Sequence, residues 1–138
     1  MTNITLFAQI IQLLKRNTFN SLVNKYQTDK HSKGINSWTH LVSMLFLQFA
    51  KANSLSEISN GLKITSGDLN HLGIQKKVPC KSSLSYENKH RNWELYRDYC
   101  MSLYESITNE GIFKQVKFRI SRKIYLLDST TVTLCLKL

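Results

Sequence analysis

Near residue 115 the apolar residues of this chain change their spacing from about 3.6 to 2, and that change limits the folds open to it. Ahead of it, Ile4, Phe7, Ile11 and Leu14 predict a helix over residues 3–16, with Lys15 and Arg16 at its C-terminal end. Phe19, Leu22, Val23 and Tyr26 predict a second, capped by Asn17 or Thr18. Trp38, Leu41, Val42, Leu45 and Phe49, widened by Met44, Phe46 and Leu47, predict a central third helix capped by Ser37. Past residue 115, Val116, Phe118 and Ile120 alternate with Lys117 and Arg119. Ile124 to Leu127 form an apolar run, and Val132, Leu134, Leu136 and Leu138 alternate again. The expected fold class is mainly α, a helical domain over residues 1–113, followed over 114–138 by the first β-strands of a second domain.

The connections refine this. Residues 27–36 are polar and aperiodic and predict an exposed loop. Ser54-Leu55-Ser56-Glu57 has the form of a capping box and opens a fourth helix carrying Leu55, Ile58 and Leu62. Its short link to the third helix has the spacing of a helix-turn-helix, which bundles also use. Residues 61–79 hold three glycines and the only proline, so a short helix near Asp68–Leu72 between loops is expected. Ser82 or Ser83 would cap a helix running to about His90. Its small early residues Ser82, Ser83 and Ser85, flanked by Lys76, Lys77, Lys81, Lys89 and Arg91, suit a helix whose first turn approaches base edges and phosphates. Asn92 would cap a last helix with Tyr96, Tyr99, Cys100, Leu103 and Ile107 on its apolar face, extended by Trp93 and ended by Gly111.

Lys and Arg number 19 against 9 acidic residues, a net charge of +10, which favours a polyanionic partner and nucleic acid above all. Met44 to Leu47 is the longest apolar run, far below the roughly 20 residues of a membrane span, and no basic stretch precedes the first apolar residues as in a signal peptide. No membrane partner and a cytoplasmic location are expected. Cys80, Cys100 and Cys135 are an odd number without a CxxC pair, which disfavours disulfides and zinc and leaves ordinary thiols. His31, His40, His71 and His90 lack metal-ligand spacing and read as surface or capping residues. Trp38 and Trp93 read as core. The basic run Lys114, Lys117, Arg119, Arg122 and Lys123 is either a solvated strand face or a phosphate track.

Asp128 follows the apolar run Ile124-Tyr125-Leu126-Leu127 and precedes Ser129-Thr130-Thr131-Val132. A carboxylate at the end of a buried strand can meet a metal ion at a sheet edge, but Asp before Ser and Thr is also a common turn cap, and the residues alone favour the cap. Several collinear segments bear on the choice. Tyr26-Gln27-Thr28-Asp29-Lys30, Lys33-Gly34, Ser37-Trp38-Thr39-His40-Leu41-Val42-Ser43-Met44-Leu45-Phe46, Ser54-Leu55, Gly61-Leu62, His71-Leu72-Gly73-Ile74, Ser83-Leu84 and Leu127-Asp128-Ser129-Thr130-Thr131-Val132 resemble the amino-terminal portion of bacterial insertion-sequence transposases of the DDE type.

That resemblance implies a helix-turn-helix-like DNA-binding domain ahead of a truncated RNase H-like α/β domain. It implies binding to the terminal inverted repeats of an element in double-stranded DNA, and strand cleavage and transfer by two magnesium ions (Mg2+). Asp128 would be the first carboxylate of the catalytic triad and a metal ligand. Ten residues follow Asp128 and none is acidic, so this chain alone is expected to be a fragment that neither holds the ions nor cuts DNA. Its apolar strand edges would support homodimer formation. The rival reading is a non-enzymatic DNA-binding regulator or repressor of the element.

Overall fold

The computed structural model describes residues 2–32, 34–64, 72–74 and 78–109, with side chains from residue 6 onward. The strands expected after residue 115, the helix end at Gly111 and most of the short helix near 68–72 lie outside the described residues. Within them the chain is mainly helical, in six helices: α1 (Thr2–Leu13), α2 (Arg16–Tyr26), α3 (Ser37–Phe49), α4 (Leu55–Ile64), α5 (Lys81–His90) and α6 (Glu94–Asn109).

Sequence spacing located α1 to α4, while the caps differ from expectation. The N-cap of α2 is Lys15, which makes no side-chain cap, and Asn17 and Thr18 lie inside the helix. Arg16 therefore opens α2 rather than closing α1. Asn36, not Ser37, caps α3, its side chain accepting from the Thr39 amide at 2.8 Å. Ser37 begins the helix, and both its amide and its hydroxyl donate to Asp29 at 2.7 Å. The loop before α3 is thus stitched to the helix, and Ile35 within it is buried rather than exposed. The Ser54 hydroxyl accepts from the Glu57 amide at 3.2 Å, as a capping box requires. The Glu57 carboxylate reaches back one residue farther than expected, to the Asn53 amide at 2.9 Å.

The core forms around Phe19, which is fully enclosed and meets Trp38 and Tyr99 edge-on, with ring centroids 5.4 and 4.9 Å away. These contacts tie α2 to α3 and α6, the geometry in which aromatic quadrupoles attract. Phe7 of α1 packs against Phe46 and Phe49 of α3. Ile58 and Leu62 bring α4 into the same core, and α4 in turn packs on α5. Gly61 permits the close approach of α3 and α4, since a Cβ there would stand 2.7 Å from the Phe46 ring. Residues 72–74 are pinned beside α3, where the Trp38 indole donates to the Leu72 carbonyl at 2.8 Å and Gly73 adopts φ +67°.

On α6 the buried face differs from the expected stripe. Leu95 and Tyr99 are buried, with Tyr96 and Leu103 partly so, whereas Cys100 is exposed and Trp93 is 65% exposed. Trp93 is therefore not core; the Arg97 guanidinium lies 5.0 Å above its ring. Asn92 does serve the start of α6, accepting from the Glu94 amide at 2.9 Å.

His40 is another departure. It is buried in α3, its Nδ1 hydrogen-bonds the Tyr96 hydroxyl at 2.8 Å, and Nε2 has no partner. Burial, with the Arg91 charge nearby, lowers its pKa from 6.5 to about 4. The unfolded chain takes up this proton first as pH falls, so His40 leaves stability intact above pH 6.5 and lowers it toward pH 4. Urea unfolding is expected to lose about 2.5 kcal/mol between pH 7 and pH 4.5, and His40→Gln is expected to flatten that change. A wild-type stability constant across that interval would refute this assignment.

Candidate nucleic-acid interface

The basic surface with the most structure behind it is α5, whose placement is fixed on two sides. Leu84 is fully buried and anchors the helix in the core next to α4. At the C-terminal end Arg91 leaves the helix and turns inward. Its Nη2 donates to Glu87 and to the Ile35 carbonyl, each at 2.7 Å, and its Nε donates to Glu87 at 3.0 Å. Nη1 lies 3.7 Å from Asp29, and the side chain is 2% exposed. An arginine held this way joins α5 to the 27–36 turn and to the start of α3. Of the residues expected to contact DNA, Arg91 is thus turned into the protein and committed to internal partners.

The others on α5 face differently. Lys81, Ser82 and Lys89 are exposed and Ser85 and Ser83 are half-buried. At 100° per residue, Lys81, Ser85, Lys89 and Ser82 fall within about 100° of one another on the helix, and Leu84 enters the core about 60° beyond Lys81. Lys81 and Lys89 are about 12 Å apart along the axis, the length of three to four base-pair steps. Beside this face runs an open groove of about 600 Å³ between α5 and the preceding turn, lined by His31, Ser32, Ser82, Tyr86 and Glu87 among others. Exposed Tyr86 stacks on His90, with centroids 4.2 Å apart, and the His90 Nδ1 donates to the Tyr86 carbonyl at 2.8 Å. Lys76, Lys77, Lys117, Arg119 and Asp128 lie outside the described residues, as does His71.

The N-terminus of α5 was misread at one atom. Cys80, not Ser82 or Ser83, is its N-cap residue, in extended backbone after buried Pro79. Hydrogen bonds from the Ser82 and Ser83 hydroxyls, each 3.1 Å from its sulfur, lower the exposed thiol to about 6. A helix N-terminus reinforces this preference for negative charge, as it would for a phosphate oxygen. The serines expected to cap the helix instead solvate that charge.

Among the described residues no group of three or more His, Cys, Asp or Glu side chains is placed to hold a metal ion. Asp128 by itself offers one carboxylate, too few for a two-metal centre. No helix among the described residues is long and apolar enough to cross a membrane.

Residues 2–75 match the family described as "Domain of unknown function (DUF4372)". The chain belongs to the DUF4372 family. The matched span contains α1 to α4 and Leu72–Ile74, the body on which α5 rests, while α5 and α6 lie beyond it. No curated protein and no solved structure matches the chain.

The seating of α5 can be tested at Glu87. Glu87→Gln leaves the enclosed Arg91 charge without its nearest carboxylate, and a cost of about 3 kcal/mol in denaturant unfolding is expected. Lys89→Ala, on the exposed side, is expected to change stability by less than about 0.5 kcal/mol. Equal effects of the two substitutions would contradict the inward placement of Arg91.

Proposed function

We propose that this DUF4372 chain is the DNA-binding, amino-terminal portion of an insertion-sequence transposase, with α5 laid against duplex DNA. The observation that carries the reading is the exposed Lys81, Ser82 and Lys89, with half-buried Ser85 between them, on a helix anchored by Leu84 and Arg91. An excess of ten positive charges across the chain supports it. Small hydroxyl side chains allow the helix to approach closely, and lysines neutralise phosphates.

Two short helices joined across residues 50–54, with α5 packed on the second, suit a helix-turn-helix-like arrangement in which α3 and α4 support α5. The recognised DNA would be the terminal inverted repeats of the element. The sequence resemblance alone supports Asp128 as a magnesium-binding carboxylate of a following RNase H-like domain.

Fluorescence anisotropy with labelled duplex tests this reading. Affinity is expected to fall steeply with salt and to favour inverted-repeat ends over random duplex. Lys81→Ala with Lys89→Ala is expected to reduce the log K against log salt slope by about 2, as two lost phosphate contacts require. Absence of binding at low ionic strength, or a slope unchanged in the double variant, would refute it.

A further inference from the structure

The outward side of α6 carries apolar residues that are exposed among the described residues. Trp93, Met101 and Tyr104 are 65, 54 and 61% exposed, and Ile107 and Cys100 are also exposed. At 100° per residue they share one side of the helix, while Leu95 and Tyr99 enter the core from the other. A contiguous apolar stripe of this kind on a soluble surface marks an interaction face.

The charges beside the stripe select its occupant. Trp93, Arg97, Met101 and Glu105 follow one another at intervals of four, so they form a single ridge with Arg97 and Glu105 equally spaced about Met101. Glu105 is exposed and has no ion-pair partner among the described residues, while Arg97, which pairs with Asp98 at 2.8 Å and lies 3.9 Å from Glu94, keeps its side chain 47% exposed. A two-fold axis at Met101 maps this ridge onto its own reverse. It would place Arg97 against the partner's Glu105 and Glu105 against the partner's Arg97, with the two methionines between them. Self-complementarity of this kind is the signature of an isologous contact.

We propose that α6 pairs antiparallel with α6 of a second copy of this chain across the Trp93–Met101–Tyr104 face. One helix face is smaller than the roughly 800 Å² per partner of a standard interface, so the association is reversible and concentration-dependent. Cys100 lies one residue from the axis, about 1.5 Å along the helix, which puts the two Cys100 thiols on either side of the dyad.

The test uses the full chain with Cys80→Ser and Cys135→Ser, leaving Cys100 as the only thiol. Sedimentation equilibrium is expected to show a monomer–dimer equilibrium, and a short bis-maleimide is expected to link two chains through Cys100. Glu105→Arg sets like charges against each other and is expected to weaken the dimer at least about tenfold. Arg97→Glu added to Glu105→Arg restores opposite charges and is expected to recover the dimer, with circular dichroism checking that both variants keep their helices. If the double variant loses helix, the effect of Glu105→Arg on Cys100 cross-linking decides alone. A monomer at every concentration, as would follow if residues 110–138 of the same chain occupied this face, would overturn the proposal. So would a dimer indifferent to Glu105→Arg, or a folded double variant that stays monomeric.

Discussion

The buried Arg91 guanidinium is the contact on which the arrangement of this molecule turns. Its hydrogen bonds to Glu87 and to the Ile35 carbonyl, with Asp29 nearby, join the end of α5 to the 27–36 turn, two segments that are distant in sequence. Asp29 also holds the first amide and hydroxyl of α3 through Ser37. One arginine thereby fixes the turn before the central helix and the end of α5. Enclosing a charge is costly unless carboxylates and carbonyls surround it, which is why the turn carries Asp29 and α5 carries Glu87. The same region encloses His40 and Tyr96, and the cationic neighbour helps to keep the imidazole neutral.

This knot has a consequence for the surface. Because α5 is tied at Leu84 and at Arg91, its remaining flank has a fixed orientation, with Lys81, Ser82 and Lys89 turned to solvent. Binding residues held on a rigid helix lose little entropy when they meet a ligand. Cys80 adds a thiol that readily ionises near neutral pH at the entrance to the helix, stabilised by Ser82 and Ser83.

How much of this was readable in the residues depends on how local each signal is. The 3.6 spacing placed α1 to α4, and Ser54 and Glu57 marked the start of α4, because capping and amphipathicity act over a few residues. Trp38 was read correctly as core. The face of α6 was not, since Trp93, Leu95, Tyr96, Tyr99, Cys100, Met101, Leu103, Tyr104 and Ile107 surround the helix and satisfy more than one stripe. Only packing against α2 decides that Leu95 and Tyr99 turn inward. Arg91 and His40 were misplaced for a related reason: charged and polar residues are usually exposed, and their burial here rests on partners contributed by other segments. For the candidate interface, the helix bearing Lys81, Ser82 and Lys89 was legible from its start and length, whereas the cap at Cys80 was hidden among adjacent serines.

The central claim is that a helical body of the DUF4372 family holds the Lys81–Lys89 face of α5 ready for duplex DNA. Lysine acetylation footprinting of the chain with and without inverted-repeat duplex tests it most directly. Lys81 and Lys89 are expected to be protected in the complex, while Lys25, beside Asp98 on the α2–α6 side, is expected to remain reactive. Protection of Lys25 with Lys81 and Lys89 left fully reactive would contradict the account.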